Sequence, residues 1–443
     1  MALKSFKGGI HPGHYKEFTE SVPVTSAQSP RKVIMPLQQH IGAPCDPLVE
    51  VGDEVKAGQK IADSEGFVSA PIHASITGKV ASIGMHYTPL GVEIKSIVIE
   101  SDGTNSEQDE KINSGKSPDD LSGKEILDII REAGIVGMGG AAFPAHVKLS
   151  PPEGKKIDTV ILNGAECEPY LTADHRSMLE EPEDVVAGLK VVMKVLNAPK
   201  GIIGIEDNKP DALEAIKAVI KNEKGITVYP LPTKYPQGAE KMLIEVITGR
   251  QVPSGGLPLD VGVVNQNVGT CAAIARAVRE GVPLIERVVT VSGKGIKEPA
   301  NVLVKVGTTF GEIIEQCGGL AENASKIISG GPMMGVSQAT TDVPVMKGTS
   351  GILVLTDKEV QLQEAGPCIR CARCVEVCPI NLLPNFLGAV SEQRLIDSAE
   401  SYHASDCIEC GCCAYICPAA RPLTQWIRAA KAEIAARKRK QQA

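Results

Sequence analysis

Two stretches decide the C-terminal fold: Cys368-Ile369-Arg370-Cys371-Ala372-Arg373-Cys374-Val375-Glu376-Val377-Cys378-Pro379, and Cys407-Ile408-Glu409-Cys410-Gly411-Cys412-Cys413-Ala414-Tyr415-Ile416-Cys417-Pro418. Both read Cys-x2-Cys-x2-Cys-x3-Cys-Pro. Nine of the 13 cysteines lie between positions 368 and 417. Met1 to His14 has no apolar core of a secretory leader, so metal ligation is a better reading of this density than a disulfide framework.

The spacing is that of bacterial ferredoxins, present twice. Two residues between thiolates let a tight loop wrap one face of an iron–sulfur cube. Three ligands from one loop leave a fourth iron site open, and the cysteine before proline turns away to fill that site on the other cluster. Cys368, Cys371, Cys374 and Cys417 are therefore assigned to one 4Fe–4S cluster, and Cys407, Cys410, Cys413 and Cys378 to a second. Paired zinc knuckles are the alternative, but zinc sites usually show two Cys-x2-Cys pairs across a longer spacer. Cys412 does not fit the spacing and reads as a buried bystander. Cys45, Cys167, Cys271 and Cys317 are scattered; three read as ordinary thiols, and Cys167 lies in a loop considered below. A helix from about Leu383 to Glu400 is expected between the runs.

Working outward, 443 residues at roughly 100–200 per domain suggest three or four domains. Hydrophobic residues make up 43%, aromatics 3%, with 44 Gly and 30 Pro, which suits turn-rich α/β and β domains. The net charge of −7 and the lack of a basic, aromatic-laced stripe argue against nucleic-acid binding. The basic run Arg437-Lys438-Arg439-Lys440 ends a basic C-terminal tail, 426–443, and reads as solvated, with contact with a membrane surface or a partner as the alternative. No uncharged apolar run reaches about 18 residues, so no transmembrane helix is expected. The expectation is a soluble, cytoplasmic chain that reaches a membrane only through partners.

Residues 1–27 read as an irregular lead-in. From 28 to 100, short strands alternate with Gly and Asp turns, the mark of a compact β module. The patterns VGDEVKAGQKIA and APIHASITGKV resemble the barrel-sandwich fold of biotinyl and lipoyl domains. Where those carry a modified Lys, this chain has Asp63-Ser64-Glu65-Gly66, so the module is read as scaffold or docking surface without an attached group. The polar stretch 101–120 is read as a linker.

From 121 to 285 strands and helices alternate. Ser122-Gly123-Lys124-Glu125 is a capping box opening a helix through Glu132. Strands are expected at Ile157–Leu162, Gly201–Ile205, Ile226–Leu231 and Val261–Val264. Helices are expected at Glu183–Leu196, Asp211–Ile220, Gly238–Ile247 and Thr270–Arg279. Such alternation argues for a Rossmann-like, parallel, doubly wound sheet, which binds ligands beyond its strand C-termini. Residues 286–335 read as a β-grasp module, 336–360 as a connector, and 361–425 as the two-cluster ferredoxin-like domain.

Four loops border the parallel sheet. Gly137-Met138-Gly139-Gly140-Ala141-Ala142-Phe143-Pro144, followed by Lys148, has glycines that let backbone N–H groups approach a phosphate and a proline suited to a helix start. Its spacing is not that of a dinucleotide fingerprint, and a tight packing turn would read similarly. Asn163-Gly164-Ala165-Glu166-Cys167-Glu168-Pro169 follows a strand and offers amide and carboxylate groups to a flavin. Tyr235-Pro236-Gln237-Gly238-Ala239-Glu240 opens a helix, and Asn265-Gln266-Asn267-Val268-Gly269-Thr270 links strand to helix. Each alone reads as a cap or turn; four at one sheet edge read as a site.

Together these loops resemble the NADH- and FMN-binding flavoprotein subunit of respiratory complex I. GMGGAAFPAHVK is similar to its Gly-rich FMN loop, which implies FMN contacts from Gly137, Gly139 and Gly140, a phosphate contact from Lys148 and adenine stacking on Phe143. NGAECEP resembles its flavin-contacting segment, implying Asn163, Glu166 and Glu168, although Ala165 replaces an Asp. QGAE resembles its Gly-Glu-Glu loop, implying Gly238 and Glu240, with Ala239 replacing a Glu; Met138 replaces an Arg. Asn265, Asn267 and Thr270 complete the implied pocket.

The order of modules, the start FKGGIHPGHYKE and the segment GRQVPSGGLPLDVGVVNQNVGT resemble the RnfC family along nearly the whole chain. That family is the NADH- and FMN-binding iron–sulfur component of Rnf ion-translocating electron transport complexes. The resemblance implies a peripheral subunit on the cytoplasmic face of a membrane complex. It would pass electrons between NAD(H), FMN, two 4Fe–4S clusters and, through other subunits, ferredoxin, coupled to pumping of Na+ or H+. A flavin is the natural converter between hydride pairs and single electrons. Alternative readings are a soluble cobalamin reductase built from the same modules and a non-catalytic iron–sulfur adaptor without flavin.

Overall fold

The computed structural model describes residues 3–103, 111–112, 117–360 and 363–442. Most of the stretch read as a linker, 101–120, therefore lies outside the described residues.

The N-terminal β module is two antiparallel sheets. One orders Lys32–Pro36, Glu93–Ser101, Gly78–Tyr87 and Glu54–Val55; the other orders Asp46–Pro47, Lys60–Asp63 and Ile72–His73. Val33 and Met35, like Ile97 and Ile99, alternate into one core with Ile61 and Ile72, as the two-residue period of a half-buried strand requires. The tip at Asp63 docks within the chain. Arg131 of helix Gly123–Glu132 donates to the Asp63 carboxylate at 3.0 Å and to the Ser64 carbonyl at 3.2 Å. That helix opens with the Ser122–Glu125 capping box.

Four parallel strands follow, ordered Ile226–Leu231, Lys200–Glu206, Thr159–Gly164 and Val263–Asn267. Val160 and Leu162 point to a core shared with helices Gly123–Glu132, Pro182–Leu196, Pro210–Ile220 and Val268–Glu280. Ile161 and Val263 point the other way, onto helix Glu240–Thr248. Helices thus cover both faces, as an all-parallel sheet demands. A short helix, Ala173–Glu180, follows the second loop; its mean polarity hid it from periodicity.

The next sheet draws its strands from three stretches of the chain. It has six strands, ordered Val24–Ser26, Ala300–Lys305, Glu286–Ser292, Gly351–Thr356, Ala324–Ser329 and Val336–Gln338. The lead-in supplies an edge strand, parallel to Ala300–Lys305. The stretch read as a connector, 336–360, supplies two more. Val24–Ser26 and Gly351–Thr356 are short and pair with strands remote in sequence, which local patterning does not report, while Val336–Gln338 forms a hairpin with Ala324–Ser329 just before it. Phe310, Ile313 and Ile314 of helix Phe310–Gln316 cover this sheet.

In the C-terminal domain the single expected helix is two, Pro384–Glu392 and Ile396–Ser401, broken where Arg394 adopts φ +55°. The segment read as a solvated tail belongs to helix Leu423–Gln442, whose Ile427, Ala430 and Ile434 are buried against the preceding pair. Arg437 pairs with Asp397 at 3.0 Å and Lys438 with Glu400 at 2.7 Å, so part of the basic run answers acidic residues of the neighbouring helix.

Candidate functional site

The four loops meet at the C-terminal edge of the parallel sheet. In the first, Gly137 N–H donates to the Phe143 carbonyl at 2.9 Å and closes the turn. Gly139 and Gly140 are exposed; Gly140 has φ +72° and open space where a side chain would stand. The Met138 N–H donates to Thr270 Oγ1 at 2.9 Å, tying this loop to the fourth. Asn267 caps helix Val268–Glu280 by accepting from Thr270 N–H, and its amide donates to Asp174 at 2.7 Å. Phe143 is half-buried beside the glycines.

Lys148 and Glu240, 92 positions apart, pair at 2.7 Å and tie the helix after the first loop to the third loop. Asn163 donates to the Gly238 carbonyl at 2.8 Å, joining the second and third loops. Three residues singled out from sequence are engaged elsewhere. Glu166 accepts from the N–H groups of Asp174 and His175, at 2.7 and 3.2 Å, and so caps helix Ala173–Glu180. Glu168 reaches the neighbouring sheet domain and accepts from Met333 and Met334 N–H at 3.1 and 2.9 Å. Asn267, as above, is spent on the helix start.

Burial dominates the electrostatics. It raises the Glu168 carboxyl to about 7, against the pull of the two backbone donors and Lys16. Burial, then the Glu166 charge, raises Asp174 to about 7. Burial also lowers Lys16, which is 4% exposed and donates to the carbonyls of Glu166, Glu168 and Leu171 at 2.9, 3.1 and 2.5 Å. Lys209, 1% exposed, holds the Ala165 carbonyl at 2.7 Å and pairs with Glu206. Two buried lysines thus fix the second loop from beneath. Sequence reasoning missed both, because nothing near Lys16 reports a partner 150 positions on.

The pocket suits a flavin nucleotide. Buried amide atoms of Gln237 (Nε2 and Oε1) and Asn265 (Oδ1) have no partner among the described residues. Unpaired buried amides are costly and mark where a polar ligand completes the bonding. With the open Gly140 turn and the Lys148 cation, these residues fit a phosphorylated, amide-bearing ring system.

The cysteines gather in two cavities. One is lined by Cys378, Cys407, Cys410 and Cys413, with Cys412 beside them. The other is lined by Cys368, Cys371, Cys374 and Cys417. Each cavity draws three thiols from one run and the fourth from the other. Such all-thiol sets are the donors an iron–sulfur cube takes. Backbone N–H groups of Leu382 and Glu409 already point at Cys378 and Cys407 sulfur, at 3.3 and 3.4 Å. Cys412 is fully buried, its sulfur 4.0 Å from the Tyr235 carbonyl.

The RnfC counterpart in the proton-translocating ferredoxin:NAD(+) oxidoreductase complex of Clostridium ljungdahlii is 57% identical over 432 residues, 97% of this chain and 94% of that one. The chain belongs to the RnfC family. Its counterpart in the Na(+)-translocating ferredoxin:NAD(+) oxidoreductase complex of Acetobacterium woodii is 52% identical, covering 98% of each chain. The RnfC modules are matched in order: an RnfC barrel sandwich hybrid domain over 4–104, a Nuo51 FMN-binding domain over 130–276, an SLBB domain over 288–337 and a 4Fe-4S dicluster domain over 361–418. The last match sets aside the zinc-knuckle alternative, and the FMN-binding match weighs against the flavin-free adaptor. A chain of an H2-reduced, NAD+-reducing [NiFe]-hydrogenase shares the fold, at 18% identity and TM-score 0.50 over 73% of this chain and 67% of that one. Among the described residues, no helix of this RnfC family member is long and apolar enough to cross a membrane.

Proposed function

We propose that this chain is the NAD-linked electron-transfer component of an ion-translocating ferredoxin:NAD oxidoreductase, with FMN on the four loops and a 4Fe–4S cluster in each cysteine cavity. FMN, when bound, exchanges electron pairs with a nicotinamide and single electrons with iron–sulfur clusters. The protein's part is placement. Gly139 and Gly140 present backbone N–H groups to the phosphate on the turn that the Gly137 N–H closes, with Lys148 as its cation and Glu240 holding that cation in place. Asn163, Gly238, Asn265 and Thr270 line the ring, and Phe143 flanks the nicotinamide dinucleotide. Glu166, Glu168 and Asn267 act one step back, by fixing the loops that carry these contacts.

The observation that carries this reading is a buried contact between the two sites. Tyr235 and Cys167 of the flavin loops pack with Cys410 and Cys412 of the second cysteine run. The Cys378/Cys407/Cys410/Cys413 cavity is therefore the inner one. The Cys368/Cys371/Cys374/Cys417 cavity is the outer one; Cys368 and Cys371 are exposed, where a partner can exchange electrons. Within this reading the parallel sheet is Rossmann-like and the 286–335 region β-grasp-like, and the chain sits on the cytoplasmic face of the membrane, held there by partner subunits. The test is anaerobic visible spectroscopy of the chain reconstituted with FMN, iron and sulfide. Addition of NADH is expected to bleach the flavin bands and then the broad cluster absorbance; clusters that ignore NADH in the presence of bound flavin would overturn it.

A further inference from the structure

Tyr235 is 1% exposed and joins segments remote in sequence. Its hydroxyl donates to the Cys410 carbonyl at 2.8 Å. Its backbone exchanges both hydrogen bonds with Ile10, at 2.8 and 2.9 Å. Next to Ile10, the Gly9 N–H donates to the Val377 carbonyl at 2.8 Å, beside Cys378. Gly8, at φ +75°, lies so close that a Cβ would stand 2.8 Å from the Cys378 carbonyl oxygen, so no other residue fits there without displacing that ligand. On the flavin side, Gly238 follows Tyr235 by three residues; its N–H donates to Cys167 sulfur at 3.3 Å and its carbonyl accepts from Asn163. One side chain thus connects the loop that lines the flavin site to the turn that carries Cys410, while the N-terminal segment braces both against Cys378.

A buried tyrosine hydroxyl needs a partner, and the Cys410 carbonyl is the one this hydroxyl has. Donation to the Cys410 carbonyl offsets the negative end of that dipole beside the inner cavity. Reducing a cluster adds negative charge, so a fixed donor there favours the reduced form; hydrogen bonding and burial are two of the terms that set cluster potentials.

Resting on the reading that Cys378, Cys407, Cys410 and Cys413 hold the inner cluster, we propose that Tyr235 is a positioning residue that fixes the Cys410 turn against the flavin loop and raises the reduction potential of that cluster alone. The experiment is an EPR-monitored redox titration of the full chain reconstituted with FMN and clusters. The inner signal is identified as the one damaged in Cys378→Ala together with its second-run partners. Tyr235→Phe keeps the ring and removes only the hydroxyl. Its inner cluster is expected to titrate at a lower potential, with the outer cluster, iron content and flavin content unchanged. A 3,5-difluorotyrosine at position 235 keeps the hydroxyl and makes it a stronger donor; it is expected to move the inner potential the opposite way. This second variant decides the matter if Tyr235→Phe loses the cluster altogether. Unchanged potentials in the fluorinated protein, or equal shifts of both clusters in either variant, would overturn the proposal. A wild-type chain that shows flavin but lacks two cluster signals would instead overturn the underlying reading.

Discussion

At the residue scale, the buried groups that no local pattern announces do much of the positioning. Lys16 is the plainest case: one ammonium holds two carbonyls of the second loop and a third, that of Leu171, just after it. Lys16→Met keeps the apolar stem and strands those acceptors away from water, at a cost of about 3 kcal/mol. Such a variant is expected to unfold its α/β domain at lower denaturant and to lose FMN on gel filtration, while Lys4→Met, at an exposed position, does neither. Glu168 gives a pH prediction. Its carboxyl binds its proton more tightly in the fold, at about 7, than at the ordinary 4.5. The folded chain therefore holds the extra proton between those values, and stability falls as pH rises through that window, by up to about 3 kcal/mol. Glu168→Gln should flatten this fall; a stability profile as steep as the parent's would show that Glu168 is not its source.

At the element scale, the clearest revision is the last helix. Arg437-Lys438-Arg439-Lys440 reads as a solvated tail because charge dominates its composition. Yet Ile427, Ala430 and Ile434 recur at three- and four-residue intervals and pack into the cluster domain. In a tail, Ile434→Asp would change stability by less than about 0.5 kcal/mol. In this helix it buries a charge without a partner, so the expected cost is several-fold larger. The measurement is retention of iron by the purified variant on mild heating, with loss expected below the parent's temperature; loss at the same temperature as the parent would favour the tail after all. The same scale shows two helices where one is expected over Leu383–Glu400, with Arg394 at φ +55° between them.

At the scale of the whole molecule, the crossed arrangement of thiols makes the two cysteine runs one unit. Cys378→Ala is expected to damage the cluster held by Cys407, Cys410 and Cys413 as well as the loop in which it resides. Iron analysis with EPR checks this, and loss confined to the first run's cluster would sink the crossed assignment. The N-terminal segment works at the same scale. Before position 27 it pairs with Tyr235, abuts Cys378, supplies Lys16 to the flavin loop and adds a strand to the six-stranded sheet.

What the sequence alone determined is the chemistry that depends on short spacing. The cysteine runs place three thiols per loop within a dozen residues, and the capping box at Ser122, the glycine turn at 137–140 and the strand–helix alternation from 121 to 285 are likewise local, set by backbone geometry over a few positions. Only the tertiary structure decided the rest. It gave Glu166 a helix start and Glu168 a domain junction to hold, put Lys16 and Lys209 beneath the second loop, and set one cysteine cavity against Tyr235 with the other open to solvent. The physical reason is the same each time. A buried polar group must find a partner wherever the fold supplies one, and that partner's position along the chain leaves no trace in the residues beside it.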